Sequence, residues 1–159
     1  MRHETRFLKF AVILIGLPVL AWCILALPKF THYFAVLMPR LAYLEYPFFA
    51  GFCVTAVFYF AALHQALKLL NYIDENQAFS ERSVTSLKKI KYCAIAIGAL
   101  YTLFMPLFYL MADADDAPGL IIVVLVIIFG CVVVAVFAAV LQKLLKNAID
   151  IKSENDLTV

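Results

Sequence analysis

Charge is scarce in this chain. Asp, Glu, Lys and Arg make up 15% of its 159 residues, against about 25% in a soluble domain. Other absences narrow the chemistry further. No glycine-rich loop of the kind that cradles phosphates is present, and no helix carries two histidines beside a glutamate, as a membrane metalloprotease requires. The four cysteines, Cys23, Cys53, Cys93 and Cys131, have no C-x-x-C spacing and so give no metal-ligand signature. They read as small apolar residues. No Asp or Glu lies inside the long apolar stretches, which argues against a proton-coupled pump. The turn Asp113-Ala114-Asp115-Asp116 is acidic but lacks the ligand spacing of a calcium loop. No catalytic residue, metal ligand or cofactor is therefore expected, and an enzyme is the most remote reading.

What fills the chain is apolar length. Four runs carry no charge: Phe10 to Pro28, Tyr46 to Leu67, Tyr92 to Ala112 and Ala117 to Gln142. Each is long enough to cross a bilayer, which takes about 20 residues. Within lipid the backbone must satisfy itself, and continuously apolar runs do so as helices. A barrel would show alternation instead. The expected fold is therefore all-α: a polytopic membrane protein of four antiparallel transmembrane helices with short cytosolic extensions. The spans fall at about 7–28, 46–70, 90–112 and 118–145, with a cytosolic loop at 71–89 and a cytosolic tail at 146–159. The first run is too long for the roughly 7–15-residue core of a signal peptide.

Eleven of the thirteen Lys and Arg residues fall before the first run, between the second and third, or after the fourth; only Lys29 and Arg40 fall elsewhere. The positive-inside rule then places both termini in the cytoplasm, in the cytoplasmic membrane.

Local signals refine this layout. The segment Lys29 to Glu45 is aromatic, with Phe30, Tyr33, Phe34 and Tyr43. It reads as a belt lying along the headgroups, as a loop or a short amphipathic helix, or as a ligand-binding cap. In the central loop, Ser80 is placed as N-cap of the third helix. Phe79 and Val84 stand at the spacing of a hydrophobic staple. Apolar residues at helical spacing carry the second, third and fourth helices past the lipid, where they are placed to pack together. Ala94, Gly98 and Thr102 form a stripe of small residues suited to close helix packing. Pro18 and Pro106 lie within spans, where a kink is expected.

The candidate functional residues are few. His64 is the one ionisable group inside a run, one turn from Lys68. It is either an interfacial histidine or a proton-sensing, ligand-contacting group. The chain closes with Leu157 and Val159 beside polar neighbours. That is either a frayed tail or an end that a partner captures.

The four-span layout, the turn into Phe79-Ser80 before a basic helix, and the ending Glu154-Asn155-Asp156-Leu157-Thr158-Val159 resemble the YoaS-like family. These are small bacterial membrane proteins grouped as domain of unknown function 2975. The resemblance covers nearly the whole chain. Where the family often has a glycine before the Phe-Ser pair, this chain has Asn76-Gln77-Ala78. The resemblance implies partnership with a small helix-turn-helix regulator and supplies no catalytic residues.

Two functions follow as expectations. One is a non-enzymatic, regulatory membrane protein that presents Phe79, Ser80, Leu157 and Val159 to a cytosolic partner such as a transcriptional regulator. It would make no direct contact with nucleic acid. The alternative is a small channel, carrier or membrane ligand sensor that acts as a homo-oligomer.

Overall fold

The computed structural model describes residues 2–157. Among them the chain forms six α-helices: α1 (Arg2–Ala21), α2 (Leu27–Leu37), α3 (Glu45–Asp74), α4 (Glu81–Leu103), α5 (Met105–Ala114) and α6 (Gly119–Leu157). No strand occurs among the described residues.

The first helix does not end at Pro28. A π turn, Trp22–Ala26, joins α1 to α2, and the N–H of Leu27 reaches back to the carbonyl of Trp22. Proline has no N–H to offer the carbonyl four residues earlier, and its ring crowds that carbonyl. Widening one turn relieves the crowding and the helix proceeds to Leu37. His3–Leu37 is therefore one apolar helix of 35 residues, and much of the expected outer loop is helix. What remains of that loop is a short 3-10 turn, Pro39–Leu44.

Three helical stretches are long and apolar enough to cross a membrane: His3–Leu37, Pro39–Asp74 and Gly119–Leu157. With α4 and α5 taken as one span bent by 46°, the crossings number four. The bend sits at Phe104, two residues before Pro106. Pro106 cannot donate to the carbonyl of Thr102, and its ring crowds that carbonyl; the helix restarts at Met105 with Pro106 in its first turn.

Both hairpin turns close by the same device. Asn76 and Asp116 take left-handed φ values of 59° and 49°. The N–H of Gln77 then reaches the carbonyl of Tyr72, and the N–H of Ala117 that of Ala112. These six-to-one bonds mark a Schellman motif, in which Asn is the usual substitute for glycine. Asn76 thus takes the place where a glycine was expected.

The chief helix contacts run from α1 to α3, from α3 to α4 and from α4 to α6. No comparable packing joins α1 to α4 or α6 among the described residues. The spans therefore form a curved row.

The buried core is concentrated at the end of the row away from the Lys- and Arg-rich one, in Leu27, Phe34, Phe48, Phe52, Phe108, Met111 and Val124. Phe48 stacks on Phe52 at 4.9 Å and on Phe104 at 5.5 Å. Phe30 and Phe34, expected at the headgroups, instead turn into this cluster. Tyr33 and Tyr43 remain exposed. The Tyr33 hydroxyl donates to Asp115 at 2.8 Å, tying α2 to the turn before α6.

Candidate functional site

Two regions stand apart from the packed core. The first is inside the row of spans. All four spans line a cavity of about 810 Å³. That is within the range of about 300–1,000 Å³ typical of small-ligand sites. Its walls are apolar and small where they would otherwise fill it: Ala62 and Ala66 on α3, Ala94 on α4, Gly130 on α6. Leucine-sized side chains at those positions would occupy much of the space.

Hydroxyls gather toward the end of it that lies away from the basic end. Thr55 donates to the carbonyl of Phe52 at 2.7 Å, and Tyr101 lines the cavity beside it. Tyr59 donates to the carbonyl of Ile15 at 3.0 Å. That carbonyl lies beside the one that Pro18 leaves without its helical donor. Pro18 itself contributes to the cavity wall, although α1 runs through it without a break.

No local pattern in the sequence signals this cavity. It arises because α1 and α6 stand apart. The mixture of alanines with Thr55, Tyr59 and Tyr101 on inward faces was the one available hint.

The second region is the basic end of the row. The hairpin between α3 and α4 is tightly determined. Ser80 is extended, and its Oγ accepts from the N–H of Ser83 at 3.4 Å. Its hydroxyl donates in turn to the carbonyl of Gln77 at 2.6 Å, as does that of Ser83 at 3.2 Å. Ser80 is therefore a structural cap as well as a candidate contact. Val84 is buried, whereas Phe79 keeps 56% of its surface. On the neighbouring side, Lys9 pairs with Asp74 at 2.8 Å, and Thr5 donates to the same carboxylate.

Beyond the hairpin projects the end of α6. Gly98 stands opposite Cys131, where an added Cβ would come within 3.3 Å of the cysteine Cβ. Counting along this antiparallel pair sets Glu81 level with Ala148. Roughly 13 Å of α6 then extends past the start of α4, at 1.5 Å per residue. Asp150 to Leu157 are all exposed, Ile151 at 60% and Leu157 at 83%. The tail is thus helical through Leu157, not frayed. Leu144 and Ile151 stand seven residues apart, on one face, and both are exposed.

The sequence-derived residues do not converge on one point. Phe79 and Ser80 sit at the hairpin tip and Leu157 at the end of α6; Val159 lies outside the described residues. His64 occupies an exposed face of α3 and does not line the cavity. Among the described residues no group of three or more His, Cys, Asp or Glu is placed to hold a metal ion. All four cysteines are free thiols.

Comparison with known proteins agrees with this architecture. The family model described as "Protein of unknown function (DUF2975)" matches residues 3–159. A protein of Bacillus subtilis (strain 168), described as "Uncharacterized membrane protein YoaS", is 60% identical over 158 residues, covering 99% of each chain. No solved structure matches the chain.

Proposed function

The chain belongs to the DUF2975 family of membrane proteins, and from that premise we propose that it is a non-enzymatic regulatory protein that presents its basic end to a cytosolic partner. The observation that carries this reading is the end of α6. A short isolated helix is marginal in water and gains its stability from packing of an apolar face. Here that face, with Leu144 and Ile151, is exposed. A partner helix laid against it would cover the stripe in the helix-in-groove manner. Phe79 offers a second apolar contact at the hairpin tip. The distribution of Lys and Arg supports placing this end and both termini in the cytoplasm. A helix-turn-helix regulator is the partner class that the family resemblance suggests.

The test is co-purification from membranes of the intact chain and of a chain ending at Ser153. Burying Leu157 would contribute about 1.5–3 kcal/mol, equivalent to roughly tenfold to a hundredfold in affinity. The intact chain should retain the regulator and the shortened one should lose it, with both inserted equally. Equal retention would refute the docking site.

A second reading has its own observation. The cavity of about 810 Å³ between the spans suits an apolar ligand drawn from the bilayer, and so favours the sensor branch of the alternative. Ala62→Trp would fill it. Loss of a co-purifying apolar small molecule in that variant supports this reading, and its unchanged recovery counts against it.

A further inference from the structure

At the basic end α3 and α4 flank a second, open crevice of about 230 Å³, lined in part by charged residues and distinct from the cavity between the spans. Three cations line it: Lys68 from α3, and Arg82 and Lys89 from α4. One carboxylate, Glu81, shares it. None of these four is in an ion pair among the described residues. The crevice is left with an excess of two positive charges that no ion pair among the described residues neutralises.

Gln65 and Thr85 also line it, the Thr85 hydroxyl donating to the carbonyl of Glu81 at 2.9 Å. Tyr72 and Ser86 line it, and Ser86 is itself buried. Glu81 and Arg82 are also the first two residues of α4, a helix of 23 residues. Their N–H groups lie at the positive end of the helix dipole, where an anion is favoured. Arginine and lysine converging with hydroxyls and a helix start form a donor set suited to phosphate oxygens.

Depth distinguishes this crevice from an ordinary basic surface. Lys68 immediately follows the uncharged run that ends at Leu67, and Lys89 stands three residues before the run that begins at Tyr92. The crevice therefore opens where the helices leave the hydrocarbon, at the level of lipid headgroups. Its volume falls below the range of whole drug-sized ligands and matches a headgroup in scale. Gln65, Lys68 and Tyr72 lie on a different face of α3 from the cavity-lining Ala62, Leu63 and Ala66, so the two sites take separate occupants.

We infer that this crevice binds a phosphate ester, and that the phosphodiester headgroup of an anionic phospholipid is its source. Basic pockets between membrane helices recognise headgroups in this way.

The test uses the full chain in a neutral detergent, with lipid retention read by native mass spectrometry. The probes are phosphatidylglycerol, phosphatidylcholine and inorganic phosphate. The triple variant Lys68→Gln, Arg82→Gln, Lys89→Gln is compared with Lys143→Gln, Lys146→Gln, Lys152→Gln, which removes equal charge elsewhere. Arg82→Gln alone serves if the triple variant does not fold. Wild type and the control should retain phosphatidylglycerol at least tenfold better than the crevice variants, and better than they retain phosphatidylcholine. Displacement of the lipid by millimolar inorganic phosphate would confirm the phosphate chemistry but reassign the source to free phosphate. Equal loss in the crevice and control variants, or equal retention of the two lipids, would overturn the proposal.

Discussion

The basic end of this molecule and the end opposite it are packed by different means. At the opposite end, phenylalanines from α2, α3 and α5 interlock with Phe104 at the bend. Toward the basic end, α1, α3, α4 and α6 line a cavity of about 810 Å³, with alanine and glycine among its wall residues. Lipid supplies no hydrophobic force to drive helices together, so contact rests on shape and on hydrogen bonds. The end opposite the basic one achieves it with stacked rings. The basic half relies on close approach at a few small residues, on the Lys9–Asp74 ion pair and on the capped hairpin. The difference suggests a division of labour: a rigid clamp at one end, and a basic half with room to respond.

The largest effect should come from the clamp. Phe48 is fully buried and meets Phe34, Phe52, Phe104 and Phe108. Phe48→Ala should destabilise the chain by about 3 kcal/mol or more, measured by reversible unfolding in mixed micelles.

A pair of glycines sharpens the contrast. A Cβ on Gly51 would lie 2.1 Å from the Phe104 ring, whereas one on Gly130, at the cavity, meets nothing within 4 Å. Gly51→Ala should cost about 1–3 kcal/mol through overpacking. Gly130→Ala should be neutral or slightly stabilising, since alanine favours helix. Equal effects in the same unfolding measurement would erase the distinction between the halves.

Smaller effects belong to the basic end. Ser80→Ala removes the cap of α4 and should cost about 1 kcal/mol, visible as faster proteolysis of the 75–80 turn. Asp74→Asn breaks the partly exposed pair with Lys9. It should cost no more than about 1 kcal/mol and matter less as salt is raised.

Sequence patterns carried some of this architecture and not the rest. The four apolar stretches and the Ser80 cap were legible, because hydropathy and capping act over one or two turns. The continuation of the first helix through Pro28 was not. A proline beside Lys29 reads as a helix end, and only the π turn before it shows how the chain absorbs the break. Phe30 and Phe34 were read as interfacial for the same reason: once the helix continues, they rotate inward. The tail has no Pro and no Gly after Gly130, and in hindsight that composition permits the helix to run to Leu157. The cavity was illegible because it depends on which spans fail to touch, a tertiary property with no local code.

The central claim is that the working surface is the basic end and not the lipid-facing exterior. Photo-crosslinking in living cells tests it most directly, with a benzophenone side chain at Ile151 in one strain and at Phe129 in another. Both positions are exposed and apolar, but only Ile151 lies on the projecting end of α6. The account predicts a discrete adduct with a soluble helix-turn-helix protein at Ile151 and none at Phe129. The absence of any such adduct at Ile151, or the same adduct at both positions, would contradict it.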